Sequence, residues 1–410
     1  MSVGSPVVRS TPTSPEPIKS LYFESNLSCA ELSLRINKSF PVTAKILEEL
    51  ILENLVIETG LAPSTGGRRP LVYALQQNVM FIVAVAMDQF VTRIAIMDVQ
   101  NNFVSPIEKI ILPLPGNPNA LEVLKEKIEQ VISLSQIPIE KFVGAGIGMP
   151  GFIDVKKGVN YSFFQLPSHK SLTKFLSEKL KIPVFIDNDS SLIALAELKF
   201  GAAKYEKNAM VINIGWGVGL GLILNGELFR GQEGFAGEFS HIPFFLNDKL
   251  CSCGKMGCLE TETSLLLIVD KAREGIQAGR LSKLSTVNLD DLEIASDAII
   301  NAVQNGDQFA VEIFSKAGYN IGKGVAVLIH LLNPKTIILS GRGASAGQIW
   351  QAPIQQALNE HCIPRLFQST TIEISTLGIN AELIGAAALV MDNYERITTI
   401  TTTIPELQEI

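Results

Sequence analysis

The sequence predicts an α/β protein in two parts: an N-terminal winged helix-turn-helix, then a two-lobed body with a metal-binding loop. Three observations predict it. Three short helical stretches and a two-stranded hairpin fill residues 16–78. Strands and helices of one β-β-β-α-β type then run twice, from Met80 and again from Met210. Three of the chain's five cysteines, Cys251, Cys253 and Cys258, crowd together shortly after His241.

In the head, residues 18–23 carry spaced apolar side chains. Ser28 with Glu31 three residues on makes a capping box for a short helix. Ser39 is placed to cap the next helix and Pro41 suits its first turn, where a missing N–H costs nothing. Val42, Ile46, Leu47, Leu50 and Ile51 then recur at helical spacing. An apolar strand over 55–57, a Gly/Pro/Ser-rich turn over 60–70 and a strand over 71–75 complete the wing. Residues 1–15 read as a disordered tail and 16–78 as the winged-helix domain.

The body begins at 79. Strands are expected over 81–87, 92–98 and 103–112, a helix over 120–133, and a buried strand over 142–149 that ends at Pro150-Gly151. A strand over 184–186 runs into Asp187-Asn188-Asp189 and a helix over 190–200. The pattern restarts with strands over 210–214 and 219–224. Strands over 336–340 and 371–374 and helices over 309–332 and 384–394 follow. Paired α/β lobes enclose a cleft. The first lobe is expected over 79–188, joined by a C-terminal helix over 380–396. The second spans 189–379, and 397–410 is a tail.

Composition narrows the function classes. A chain of 410 residues with 47% hydrophobic residues has ample apolar side chains for two or three cored domains and is not mostly disordered. No apolar run reaches the roughly 18 residues of a membrane helix. Residues 1–20 lack the apolar segment of a secretory signal, so a cytoplasmic protein without a membrane partner is expected. The net charge of −7 excludes a general nucleic-acid sponge. Residues 1–78 balance seven Lys/Arg against seven Glu, a less basic head than DNA binding usually uses.

The cysteine cluster points to a metal in a reducing compartment, since an odd count in a tight group is not a disulfide framework. His241, Cys251, Cys253 and Cys258 supply a closed Cys3His set, the donor chemistry of structural Zn²⁺. Gly254 and Gly257 let the loop turn tightly around it. Such a metal would hold the segments bearing Glu238 and Glu260. Asn188 and Asp189 sit beyond a strand end, where ligands bind in open α/β sheets. Carboxylates with an amide suit a polyhydroxylated ligand, because each hydroxyl both donates and accepts. His241 can hold metal through one ring nitrogen and face the ligand with the other. The turn Gly215-Trp216-Gly217-Val218-Gly219 suits either phosphate approach or a tight hairpin, and Ser340-Gly341-Arg342-Gly343 is equally open.

Together these residues resemble the ROK family (repressors, open reading frames and kinases) over nearly the whole chain, from Ile18 to Tyr394. The most specific part is Gly237-Glu238-Phe239-Ser240-His241 followed by the Cys-x-Cys-Gly-x-x-Gly-Cys-x-Glu run from Cys251 to Glu260. Ser240 departs from the family's usual Gly. Gly148-Met149-Pro150-Gly151 and the Asn188-Asp189 pair also match. The resemblance implies an actin/hexokinase-like (RNase H-like) body. It also implies a sugar held by Asn188, Asp189, Glu238, His241 and Glu260.

Kinases of the family carry Asp-x-Gly-Gly-Thr-Lys at their first phosphate loop. Here the segment reads Asp88-Gln89-Phe90-Val91-Thr92-Arg93, with both glycines replaced by bulky residues where phosphate must approach the backbone. Trp216 stands where the kinases usually have Thr. No catalytic residue is therefore expected; were the chain a kinase, Asp189 would be its general base. Ser39-Phe40-Pro41-Val42-Thr43-Ala44-Lys45 resembles the recognition helix of the family's repressors, and 65–70 their wing tip. Ser39, Pro41, Thr43 and Lys45, with Arg68 and Arg69 on the wing, are the expected DNA contacts. The resemblance implies a sugar-responsive regulator of carbohydrate-use genes. Its partners would be a DNA operator, a sugar or sugar-phosphate effector, and a second copy in a homodimer or dimer of dimers. A sugar kinase with an appended head and a catalytically dead scaffold that needs neither DNA nor sugar are the competing readings, and a protein-docking module is the alternative for the head.

Overall fold

The computed structural model describes residues 15–62, 69–164, 166 and 171–397. Residues 1–14 of the expected tail over 1–15, residues 398–410 of that over 397–410, and the wing tip with Arg68 lie outside the described residues.

In the head, α1 (Pro15–Glu24) buries Ile18, Leu21 and Tyr22. After β1 (Leu27–Ser28), the capping box opens α2 (Cys29–Arg35): Ser28 Oγ accepts from the Glu31 N–H, and the Glu31 carboxylate accepts from the Ser28 N–H at 2.8 Å. In α3 (Phe40–Leu52), Ser39 occupies the N-cap and Pro41 the first turn, but the Ser39 side chain makes no capping bond. The Thr43 hydroxyl instead donates to the Ser39 carbonyl at 3.1 Å. β2 (Val56–Leu61) and β3 (Leu71–Leu75) are antiparallel, and β1 joins β3 to give the order β1-β3-β2. β2 runs past the expected 55–57 because Gly60 is taken up in a bulge of the ladder instead of starting the turn.

The first sheet of the body comprises β4 (Phe81–Met87), β5 (Val91–Asp98) and β6 (Glu108–Ile111) as an antiparallel meander. α4 (Ala120–Leu134) leads to β7 (Phe142–Met149), parallel to β4. A small hairpin, β8 (Ile153–Asp154) and β9 (Val159–Asn160), and α5 (Leu172–Leu180) precede β10 (Val184–Asn188). The sheet order is β10-β7-β4-β5-β6. β6 is shorter than the expected 103–112: Phe103 makes only a single bridge to Met97, and Pro106 has no N–H for the ladder.

α6 (Asp189–Phe200) leads on to the second sheet, β11 (Ala209–Ile214), β12 (Val218–Leu224) and β13 (Glu227–Phe229). It continues through α7 (Leu265–Gln277), α8 (Leu292–Gln304), α9 (Gln308–Leu332), β14 (Thr336–Ser340), α10 (Gln351–His361), α11 (Pro364–Phe367) and β15 (Thr371–Ile374). Its order, β13-β12-β11-β14-β15, repeats the first: the leading strand is central, with the meander on one side and two parallel strands on the other. The β-β-β-α-β duplication expected from the sequence is thus present, with β13 a strand that the sequence pattern did not mark.

α12 (Ala381–Asp392) packs on the first sheet and on α6. The approach is close: a side chain at Gly146 would put its Cβ 1.9 Å from the Ala386 carbonyl oxygen. On its other side α6 packs against β11 and β12, so this helix touches both sheets. Its far end also meets the head. Phe200 lies 5.7 Å from Tyr22 and 5.9 Å from Phe23, ring centre to ring centre, and Lys199 Nζ sits 4.7 Å over the Phe23 ring. Lys204–Glu24 (3.4 Å) and Lys19–Asp392 (3.1 Å) add ion pairs, and the head's apolar core is continuous with that of the first sheet. Among the described residues, no helix is long and apolar enough to cross a membrane.

Candidate functional site

Between the two sheets lies a cleft of about 490 Å³ whose walls include Asn188, Asp189, Glu238, His241 and Glu260, all five expected ligand residues. β10 delivers Asn188 as its last residue. The Asn188 Oδ1 caps α6, accepting from Ser190 and Ser191 N–H at 3.0 and 3.2 Å, while its Nδ2 donates to the Gly151 carbonyl at 3.2 Å. Asp189 opens the helix; Oδ1 accepts from its neighbour's N–H at 2.8 Å, and Oδ2 receives Asn213 Nδ2 at 3.4 Å. Burial, reinforced by the charges of Asp88 and Glu238, pushes the Asp189 carboxyl up to about 7. Glu238 is also raised, by burial and by Glu260. Glu260 accepts from the Val218 N–H at 3.3 Å and from Ser252 Oγ at 3.2 Å.

The four expected metal donors converge. The ligand atoms of His241, Cys251, Cys253 and Cys258 all lie within 4.8 Å of one another. Cys251 Sγ is 3.4 Å from His241 Nδ1, and Cys253 Sγ is 3.6 Å from Cys258 Sγ. Tetrahedral bonds of about 2.3 Å to sulfur and about 2.0–2.1 Å to nitrogen put such donors about 3.5–3.8 Å apart, so the set fits one metal ion. Gly257, at φ 74°, makes the loop possible, since a Cβ there would meet the Phe245 carbonyl oxygen at 2.0 Å. The ring's other nitrogen, Nε2, lies 3.6 Å from Glu238 Oε2 on the cleft side.

A second constellation, only partly legible from sequence, lines the neighbouring part of the cleft. Asp88 Oδ1 accepts from the N–H groups of Phe90 and Val91, both at 2.7 Å. Its Oδ2 accepts from Trp216 Nε1 of the second sheet at 3.2 Å. Burial raises this carboxyl too. The Trp216 side chain is only 4% exposed; Phe90 meets it edge-on at 6.0 Å, and the Arg342 guanidinium lies 5.3 Å from its ring centre. Arg342 pairs with Glu293 at 2.8 Å, and Glu293 pairs in turn with Lys109 of β6, back in the first sheet. The Gly-rich turn hinted at this region, but its cross-sheet partners were not deduced. Glu382 was missed as well: buried in α12, it accepts from Met87 N–H at 3.0 Å and lies 3.6 Å from Arg93.

Of the expected DNA contacts, Ser39, Pro41 and Lys45 are exposed on the first turns of α3; Lys45 pairs with Glu49 at 3.9 Å. Thr43 requires correction. It is 0% exposed, with its hydroxyl spent on the preceding turn, so it is a packing residue and presents nothing to a groove. Arg69 folds back on the hairpin, its Nε donating to the Ala62 carbonyl at 2.6 Å and Nη2 to that of Leu61 at 3.1 Å.

A sequence model of the ROK family matches residues 91–393. The chain is 28% identical over 389 residues to a xylose repressor of Caldicellulosiruptor bescii, covering 92% of this chain and 94% of that one. It is 34% identical over 254 residues to a glucokinase of Halalkalibacterium halodurans, covering 60% of this chain and 76% of that one. The crystal structure of a ROK family transcriptional regulator, a homologue of the E. coli MLC protein, matches with a TM-score of 0.75 at 26% identity, over 95% of this chain and 98% of that one. With the family match running through both sheets and the C-terminal helix, the chain belongs to the ROK family.

Proposed function

We propose that the protein is a transcriptional repressor of carbohydrate-use genes whose grip on DNA is set by a sugar bound in the cleft. The observation that carries this reading is the contrast between two parts of the cleft wall. Asn188, Asp189, Glu238, His241 and Glu260 present polar groups to the cavity. On the wall of the same cavity Trp216 packs edge-on with Phe90, and Asp88 consumes the Phe90 and Val91 backbone N–H groups that phosphate would need. Phosphoryl transfer depends on cradling phosphate, so the pocket senses and does not phosphorylate. The head is read as a winged helix-turn-helix acting on DNA in the cytoplasm, with Ser39, Pro41 and Lys45 at the groove and Arg68 and Arg69 on the wing. Two heads are needed for useful affinity, so a homodimer or a dimer of dimers is the working unit. The metal is assigned as zinc from its three thiolates and one imidazole. It supplies structure only, by holding the segments that present Glu238 and Glu260. Sugar binding biases the closure of the sheets and so shifts DNA affinity by a coupling free energy.

The test is binding of the full-length protein to DNA upstream of its own gene, with and without sugars at fixed salt. Specific binding changed by a sugar is expected; no specific binding under any condition refutes the reading. A kinase remains the second reading because Asp189, held near 7, has the proton affinity of a general base. Coupled ADP release with hexoses should show no turnover; turnover abolished by Asp189→Asn would reverse the ranking.

A further inference from the structure

We propose that the effector is an uncharged, unphosphorylated sugar and that the cleft rejects phosphate esters of the same sugars; this rests on the sugar reading above. A phosphate dianion needs cationic or N–H donors that are free to receive it. Among the described residues lining the cleft, the Lys/Arg side chains are Arg93 and Arg342, and both are committed. Arg93 pairs with Glu382 at 3.6 Å and donates to the Ile379 carbonyl at 2.7 Å. Arg342 pairs with Glu293, donates to Ser296 Oγ at 3.0 Å, and lies over Trp216. The start of α6, otherwise a natural anion seat, is already taken: Asn188 and Asp189 accept from the Ser190 and Ser191 N–H groups.

The opposite charge is present in excess. Asp189, Glu238 and Glu260 face the same space, and none has a lysine or arginine partner among the described residues. Their oxygens accept from hydroxyl donors, which a neutral sugar supplies on every side. At the mouth, Phe152 (45% exposed) meets Phe235 edge-on at 5.4 Å, one on each side of the cleft. Aromatic faces there suit the C–H face of a sugar ring and offer a phosphate nothing. Like charge brought beside these carboxylates without compensation disfavours binding.

The experiment is calorimetric titration of the full-length protein with D-glucose, D-mannose and N-acetyl-D-glucosamine, each beside its 6-phosphate, and with D-xylose, at pH 7.5 and constant ionic strength. A free sugar is expected to bind, with any phosphate ester at least about tenfold weaker. A phosphate ester that binds as tightly as its parent sugar, or more tightly, overturns the inference while leaving the sugar reading intact. No binding by any sugar or ester overturns the sugar reading and this inference with it. Asp189→Asn, shown to be folded by its melting curve, should narrow the discrimination, because it removes charge from the rejecting wall. An unchanged ratio overturns the electrostatic explanation.

Discussion

Replacing Trp216 by Phe removes one bond that ties the two sheets together. An aromatic ring remains to face Phe90 and Arg342, while the Nε1 donor, 3.2 Å from Asp88 Oδ2, goes with the five-membered ring of the indole, and the double-mutant cycle below separates the bond from the lost packing. Asp88 keeps its two loop N–H bonds on Oδ1, but Oδ2 loses the Trp216 donor in a site whose burial already raises the carboxyl. A hydrogen bond to a charged group contributes about 1.5–3 kcal/mol, so W216F should lower unfolding stability by about 2 kcal/mol at pH 7. The assay is urea unfolding, where the midpoint should fall with no change in slope. A double-mutant cycle with Asp88→Asn should return a coupling of the same order, since the Trp216 donor acts on that carboxylate. Removing the whole ring in Trp216→Ala should cost more, about 3–5 kcal/mol, through the cavity it leaves. If W216F costs less than about 0.5 kcal/mol, or the cycle shows no coupling, the sheets are not held by this bond.

Asp189→Asn carries a pH signature. The native carboxyl at about 7 binds a proton that the unfolded one, at 3.8, has released. The native state therefore holds more protons between those values, and its stability declines as pH rises from about 4 to about 7, then levels off. Asn removes that decline, so the variant's advantage over the parent should grow through this window; an advantage independent of pH contradicts the assignment. Strong chelators should lower both the melting temperature and sugar affinity, since metal binding is linked to folding of the loop that carries Cys251, Cys253 and Cys258. Unchanged melting curves with chelator would exclude a structural metal. In the head, Lys45→Ala should weaken binding to all DNA sequences and reduce the salt slope by about one. Thr43→Val should instead cost about 1 kcal/mol of stability through its lost hydroxyl bond, with little change in the DNA affinity of the folded protein. Titrations against salt and thermal melts separate these two outcomes.

Local pattern made much of this molecule readable. Strands over 81–87, 142–149 and 336–340 have the bounds expected from sequence, because each is a continuous apolar run closed by a turn residue. The metal donors were legible because three of the four lie within eight residues of one another. The third helix of the head has the expected period and buries Leu47 and Leu50 as expected, but its first turn differs. Val42 is 49% exposed while Thr43 points inward, because a threonine hydroxyl can satisfy itself on the preceding turn and so tolerates burial. Trp216 and Asp88 are 128 residues apart, and no periodicity links them. Their pairing is set by the docking of one sheet on the other. α7 and α8 were not foreseen for a similar reason: their buried faces are completed by α9, which only the folded chain brings alongside.

α6 gives the binding pocket a long reach. Its first turn is the floor beneath Asn188 and Asp189, and its last residue is wedged against Tyr22 and Phe23. Twelve residues of helix measure about 18 Å, so a tilt of about 10° about the cleft end carries Phe200 through about 3 Å. That is enough to unseat one aromatic ring from another. A small molecule settling among carboxylates thus has a stiff lever on the part of the protein that would grasp DNA, with no loop in between to absorb the stroke.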